Sequence, residues 1–475
     1  MPAESVDSEE SASEDSPQSE NTSSASDNHY KWGRWFSPEN LIPQFDPDTY
    51  PLEGIGEDPR EHASRVPTTI ETRYPIEPDR VLAVVFFLVL AVVVGAVTTD
   101  AFANPMSLEF WAVLNAGLWL FVGLYFLTGV GWIRNTIQGW LSESPTIEHG
   151  PESVQVRILT IDAGGIVQQT VDHLPDELTD RHVIAETEIK VEGADVHVVP
   201  EDFECVATNK GRAIEWARRN VPCEKEYVLY LDEDTLVTNF IGLPDADIVQ
   251  FREWPMKTGS WLTYWAEVLR MGFQLEQAGY ADRTIPLYAW GGGLAVRKSV
   301  EDEVTWDFKT LIEDTVFVWF AVENGASFEV VGTKFRNQAP PSLKAMCRQR
   351  RRWIVGTIRD EEYLALPHQL LTTVRNVVWA FSPVLLVLSV VMAVLQIRIP
   401  LGDAFWGVTV FLLGITGLWL ILGVAYYEWS IQAAVALVFS PLVLFWHAMG
   451  AAWGFVSPPE RFQVTAKTKT GDSSE

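Results

Sequence analysis

The sequence predicts an α/β domain with a mostly parallel sheet, set between apolar segments that cross a membrane. Three observations predict it. Through the middle of the chain, short buried-looking apolar runs alternate with helix-like ones. One of those runs ends abruptly in a cluster of acids. The flanks carry long apolar stretches, sufficient for a hydrocarbon core of roughly 30 Å.

The elements follow in order. Residues 1–30 are Ser-, Glu- and Asp-rich with almost no apolar content, so they bury too little surface to offset chain entropy and are expected to be a disordered acidic tail. No short apolar region follows a basic start, so a signal peptide is not expected. Residues 31–79 form a polar, Pro-rich juxtamembrane segment with an aromatic cluster at Trp32, Trp35 and Phe36. Two transmembrane helices are expected within 80–134, from the runs Val81–Thr98 and Leu108–Ile133.

The region 135–373 carries the α/β domain and interfacial helices. Strands are expected at Val154–Ile161, His182–Ala185 and Tyr227–Leu231, and helices at Asn209–Arg219 and Glu313–Asn324. Within 374–456, the stretches Val374–Ile397, Ala404–Tyr427 and Trp429–Phe455 give two to three further spans. The last is broken by Pro441 and carries His447, which makes it the candidate for a re-entrant or interfacial segment. Residues 457–475 form a polar tail. The loop Thr99–Ser107 has no Lys or Arg, whereas Arg134 follows the second span and Arg348, Arg350, Arg351, Arg352 and Arg375 precede or open the third. That asymmetry places 135–373 on the cytoplasmic side of a multi-pass cell-membrane protein.

Composition narrows the function classes. The chain has 475 residues and a formal net charge of −28. Such acidity argues against nucleic acid as a partner, because phosphate backbones require Lys and Arg. It also suits solubility at high salt, so a salt-loving source is expected. Cys205, Cys223 and Cys347 show no C-x-x-C spacing, and the eight histidines form no H-E-x-x-H. Neither a disulfide framework nor a His-based metal site is supported.

Four short motifs carry the chemistry. In Tyr227–Thr235, YVLYLDEDT, an apolar strand ends in Asp232-Glu233-Asp234. Alternate residues of extended chain share a face, so Asp232 and Asp234 can point together, and paired carboxylates suit a hard divalent ion shared with phosphates. Taken alone, the same residues read equally as an acidic turn. Glu313 and Asp314 open an apolar helix; acids there complement the helix dipole, and a carboxylate so placed can also act as a general base. Gln349-Arg350-Arg351-Arg352-Trp353 lies just ahead of a span, where an arginine cluster is a topology signal or a diphosphate-binding group. Phe462–Lys467, FQVTAK, follows the last apolar stretch.

The order D-x-D, E-D, Q-x-x-R-W and F-x-V-T-x-K resembles the signature set of membrane-bound family 2 glycosyltransferases, the cellulose synthase-like superfamily. The likeness covers roughly 150–355 and the tail. Ser260-Trp261-Leu262-Thr263, Trp290-Gly291-Gly292-Gly293 and Trp306-Asp307-Phe308 are similar to the Egghead-type β-1,4-mannosyltransferases. The resemblance implies a GT-A-type nucleotide-sugar-binding domain. It implies that Asp232 and Asp234 hold Mg²⁺ or Mn²⁺ on the donor diphosphate, and that Glu188 (or Glu186) contacts the nucleoside. Lys210 and Arg212 would help hold the nucleotide. Asp314, beside Glu313, would be the base. Gln349, Arg352 and Trp353 would line the diphosphate and acceptor pocket, and Thr465 and Lys467 would close over the nucleotide.

The implied reaction is inverting and metal-dependent. A sugar leaves a nucleotide-sugar donor (GDP-mannose or a UDP-sugar) for a lipid-linked or glycan acceptor, with a β-glycosidic bond formed and membrane lipid as a partner. A processive polysaccharide synthase is the alternative, although five or fewer spans are few for a polymer channel. A glycoside hydrolase would also use two carboxylates but needs neither the D-x-D nor the cation cluster. A transporter or scaffold without catalysis is the remaining class; the spans carry almost none of the intramembrane ionisable residues that transport requires.

Overall fold

The computed structural model describes residues 110–458, apart from 143, 238, 282–284, 397–401 and 428. Segments 1–30 and 31–79, the run Val81–Thr98, and the tail with Thr465 and Lys467 lie outside the described residues.

Helix α1 (Phe110–Leu141) leads into the domain. Its strands are β1 (Val154–Thr160), β2 (Asp180–Ala185), β3 (Asp195–Val198), β4 (Tyr227–Asp232), β5 (Leu236–Val237), β6 (Ile248–Met256), β7 (Leu294–Arg297) and β8 (Phe328–Gln338). They form one sheet in the order β3-β2-β1-β4-β7-β6-β8-β5. The first four are parallel, as the apolar runs β1, β2 and β4 predict, since both of their faces are covered. Residues of β1 are buried throughout. The second half is mixed: β7 runs against both β4 and β6, and β5 against β8.

Helices α2 (Gly164–Asp172), α3 (Lys210–Asn220), α6 (Lys298–Glu303) and α7 (Glu313–Glu323) belong to the sheet's two layers. One apolar core joins α3, α7 and one sheet face around Trp306, which stacks on Phe317 with ring centroids 3.8 Å apart. The other core lies beneath α2 on the opposite face. Trp306-Asp307-Phe308 is therefore core structure. Asp307 Oδ1 accepts from Ala207 N at 2.7 Å, and Glu215 accepts from Trp306 N at 3.0 Å, which fixes the loop and helix around Lys210.

The remaining helices are α4 (Trp261–Leu269), α5 (Met271–Ala281), α8 (Leu343–Asp360), α9 (Leu366–Val394), α10 (Gly402–Tyr427), α11 (Ile431–Val438) and α12 (Ser440–Val456). Among the described residues, Gly117–Leu141 of α1 and α10 are long and apolar enough to cross a membrane. α11 and α12 meet at a 72° bend, the geometry of a broken span or a re-entrant loop. The break falls beside Pro441, in the first turn of α12, where the ring's missing N–H is tolerated.

α4 and α5 tie the sheet domain to these helices. α1 and α5 touch backbone to backbone where Gly139 meets Gly279: a Cβ on Gly139 would overlap the Leu275 carbonyl oxygen and lie 2.8 Å from Gly279 N. Small residues permit this approach. Glu276 of α5, fully buried, takes both terminal nitrogens of Arg375 from α9. Gly139→Ala should therefore force α1 from α5 and destabilise the chain by about 1–3 kcal/mol. Thermal unfolding in detergent tests this; an unchanged midpoint would show that the helices separate at no cost.

Candidate active site

The site lies at the carboxyl ends of the parallel strands. β1 sits between β2 and β4, so the chain passes to opposite sides of β1 and leaves a crevice at the strand ends. Leu159 pairs with Asp232, and Thr160 with Ala185. Thr160, Glu186 and Asp232 consequently emerge next to one another. A cavity of about 390 Å³ opens over them.

Lys210 organises the carboxylates. It begins α3, directly after Asn209, whose φ of 55° is a positive value that Asn adopts more readily than most residues. The Lys210 ammonium lies 2.8 Å from Asp232 Oδ1, 3.4 Å from Asp314 Oδ1 and 3.6 Å from Glu313 Oε1. Burial works against its charge, but Asp232, Asp314 and Glu313 outweigh it and hold the ammonium well above the ordinary lysine pKa. It is a fixed cation. Glu313 is the reverse case: burial, and then the charge of Asp314, raise its pKa and favour the neutral acid.

Asp314 is held from a second side. Gly291 N donates to Asp314 Oδ2 at 2.7 Å. A Cβ on Gly291 would overlap Lys210 Nζ and lie 2.7 Å from Asp314 Cγ. The glycine run thus brings backbone close to a carboxylate. Gly292 and Gly293 lie under the Trp290 ring, where a Cβ would come within 3.0 Å of its carbons.

Asp232 and Asp234 both line the cavity. Asp234 is buried and accepts from Gln338 N at 3.0 Å, so the end of β8 helps fix it. Glu233 borders the same cavity, but its carboxylate accepts from Thr160 Oγ1 at 2.7 Å and its carbonyl from Thr170 Oγ1 at 2.6 Å. No group of three or more His, Cys, Asp or Glu able to hold a metal occurs among the described residues. The two aspartates are an all-oxygen donor pair that leaves most of a hard ion's coordination to another ligand, which fits an ion shared with a diphosphate.

Of the two acids at the end of β2 that the resemblance offers, only Glu186 reaches the cavity. Glu188 is exposed and away from the cavity lining, because the chain turns outward after Thr187. Glu186 lines the cavity instead and accepts from Arg212 Nη1 at 2.5 Å. Arg212 does not line the cavity; it also donates to the Phe203 carbonyl at 3.2 Å, and so orients Glu186 from behind.

α8 supplies Gln349, Arg352 and Trp353 to the lining. The Arg350 and Arg270 guanidiniums stand 4.1 Å and 5.4 Å from the Trp353 ring centroid. Glu267 binds both arginines, and Arg270 continues to Glu253 at 2.5 Å. Glu267 and Arg270 are an i,i+3 pair, but the links onward to Arg350 and Glu253 follow no spacing and are invisible in the sequence. Trp290 lines the cavity, whereas Trp261 is exposed and Trp265 stacks on Phe439 outside it.

A cation among three carboxylic groups at the end of a parallel sheet, beside an arginine-bearing helix, makes a cavity suited to an anionic ligand. Residues 227–456, just under half of the chain, match the family model described as Glycosyl transferase family group 2. It is 24% identical over 302 residues to the beta-1,4-mannosyltransferase egh of Drosophila melanogaster, which covers 57% of this chain and 66% of that protein. The chain thus spans just under two thirds of this relative's length. Among solved structures, the mannosyltransferase PcManGT from Pyrobaculum calidifontis, in complex with GDP-Man and Mn²⁺, aligns with a TM-score of 0.39 at 12% identity, over 78% of this chain and 98% of that one.

Gly291→Ala should lower the turnover of sugar transfer at least about tenfold, by displacing Asp314 and Lys210, while the fold survives. Circular dichroism with initial rates checks it; full activity would mean that the Gly291–Asp314 contact has no part in catalysis.

Proposed function

We propose that the chain is an inverting, metal-dependent glycosyltransferase that moves a sugar from a nucleotide-sugar donor, GDP-mannose or a UDP-sugar, to a lipid-linked or glycan acceptor. The observation that carries the reading is Asp314. It opens α7 at the cavity, fixed by Gly291 N on one side and Lys210 on the other, opposite the strand end that bears Asp232.

Each residue takes a role from its surroundings. Asp232 and Asp234 would hold Mg²⁺ or Mn²⁺, which when bound supplies charge neutralisation at the leaving diphosphate. Arg352 faces the same cavity and gives the diphosphate a second cationic contact, supported by Gln349. Lys210 keeps its proton, so it orients and neutralises and does not act as base. Glu186 contacts the nucleoside, held by Arg212. Trp353 presents a flat ring to the acceptor sugar. Asp314 takes the proton from the acceptor hydroxyl as that oxygen attacks the anomeric carbon from the face opposite the diphosphate. Glu313, biased to its neutral form, serves as a hydrogen-bonding neighbour. An α-linked donor then gives a β-glycoside. Thr465 and Lys467 complete the nucleotide site in this reading.

Nucleotide release over GDP-mannose, UDP-glucose, UDP-GlcNAc and UDP-galactose tests the proposal, with one donor expected to stand out. Asp314→Asn should abolish transfer, by about 10²–10⁴-fold, with donor affinity retained; near-normal transfer would remove Asp314 from the base role. Asp234→Ala should weaken donor binding in Mg²⁺ or Mn²⁺ and leave little difference when chelator is added. Calorimetry that finds the same nucleotide affinity with and without metal in both proteins would refute the metal assignment.

A further inference from the structure

The segment 286–293 carries Gly291 to Asp314, yet it belongs to no strand or helix. Its backbone is held instead by side chains of α5, α7 and β6. On α7, Trp319 Nε1 donates to the Pro286 carbonyl at 2.7 Å. The Thr315 hydroxyl, also on α7, accepts from Ala289 N at 3.1 Å and donates to Ala289 O at 3.2 Å. On α5, Gln277 accepts from Leu287 N at 2.9 Å and donates to the Tyr288 carbonyl at 2.7 Å. On β6, Gln250 accepts from Trp290 N at 2.8 Å and donates to the Trp290 and Gly293 carbonyls at 3.1 and 2.6 Å. These side chains are buried.

A carboxamide carries the same kinds of donor and acceptor as a peptide group. Each glutamine therefore stands in for the neighbouring strand that this segment lacks. The substitution is needed, because a buried backbone N–H or C=O without a partner is costly. The segment is thus fixed along its length, and Gly291 N meets Asp314 Oδ2 at 2.7 Å. Tyr288, Ala289 and Trp290 line the catalytic cavity, whereas Gln250 and Gln277 stand behind them and do not line it. The two glutamines reach the chemistry only through the backbone they hold. Gln250 grips the chain on both sides of Gly291. The helix that bears Gln277 is itself packed backbone to backbone on α1 at Gly279.

We propose that Gln250 and Gln277 are positioning residues: they clamp the segment 286–293 so that the Gly291 N–H holds the Asp314 carboxylate in its working orientation. For its place in the reaction this rests on the assignment of Asp314 as the base.

Hydrogen exchange of the full chain in lipid nanodiscs, read by mass spectrometry on peptides that span 286–293, tests the clamp without any turnover. Gln250→Met keeps the length of the side chain and removes the amide. It should raise exchange in this segment about tenfold or more, while peptides of β1 and β4 stay protected. Turnover, read as nucleotide release from the preferred donor, should fall about tenfold. Affinity for GDP or UDP in Mn²⁺ should change by less than about twofold. The decisive arm is a double-mutant cycle. Once Gly291→Ala has displaced Asp314, adding Gln250→Met should lower turnover by less than about a further twofold. Gln277→Met breaks the clamp from α5 and should repeat the whole pattern, which covers the case in which Gln250→Met does not fold. A general loosening of the fold would instead deprotect the sheet, weaken nucleotide binding and add in full to Gly291→Ala. That outcome, unchanged exchange, or raised exchange with unchanged turnover would overturn the proposal. Near-normal transfer by Asp314→Asn, beside raised exchange in the glutamine variants, would defeat the base assignment and not the clamp.

Discussion

The site depends on one ammonium. Asp232, Glu313 and Asp314 come from the end of β4 and the start of α7, two places far apart in the chain, and in their charged forms they repel one another, which is one reason Glu313 favours its proton. Lys210 lets them share a few ångströms of partly buried space. Its own position is fixed from behind by Asn209 and by the Trp306–Asp307 loop, whose hydrogen bonds reach α3 and the segment before it. The aromatic core beneath the sheet therefore sets the geometry of charged groups at its rim. Gly291 closes the arrangement with a backbone N–H, possible only because no side chain intervenes.

The same structure joins a water-facing sheet to apolar helices. α4 and α5 lie between the two, with Glu276 paired to Arg375 on the helical side and Glu253 to Arg270 on the sheet side. α8 runs across this junction. Its Trp353 is flanked by Arg350 and Arg270, so an aromatic wall of the cavity is held by two guanidiniums that one carboxylate, Glu267, keeps in place. Burying such charges is costly unless each is matched, and here they are matched in a chain. The gain is a fixed ring orientation between the carboxylate end of the cavity and its continuation among the helices.

Much of this was legible in the sequence where the signal is local. The runs at Val154, His182 and Tyr227 fold as β1, β2 and β4, and the helices expected near Asn209 and Glu313 are α3 and α7, because hydrophobic period and terminal acids are local properties. The Pro441 break likewise appears in the bend between α11 and α12. Less legible was anything decided by pairing across distance. The reversed strand β7 carries no mark of its direction. Glu188 and Glu186 differ by one turn of chain, and only the path after Ala185 puts Glu186 at the cavity. The pairing of Arg212 with that acid is likewise set by the fold and not by spacing. Glu267 and Arg270 stand at a helical i,i+3 spacing, but their links to Arg350 and Glu253 follow no spacing rule; they arise when elements distant in sequence meet.

The central claim is that Asp314 activates an acceptor hydroxyl on the face of the sugar opposite the leaving diphosphate. The configuration of the first product formed tests it most directly. With a ¹³C-labelled α-linked nucleotide sugar, the one-bond coupling at the anomeric carbon of that product, read by NMR before any further processing, is predicted to be that of a β-glycoside. An α-glycoside as the first product would contradict the mechanism at its root, since retention requires attack from the face that this arrangement of carboxylates leaves to the donor.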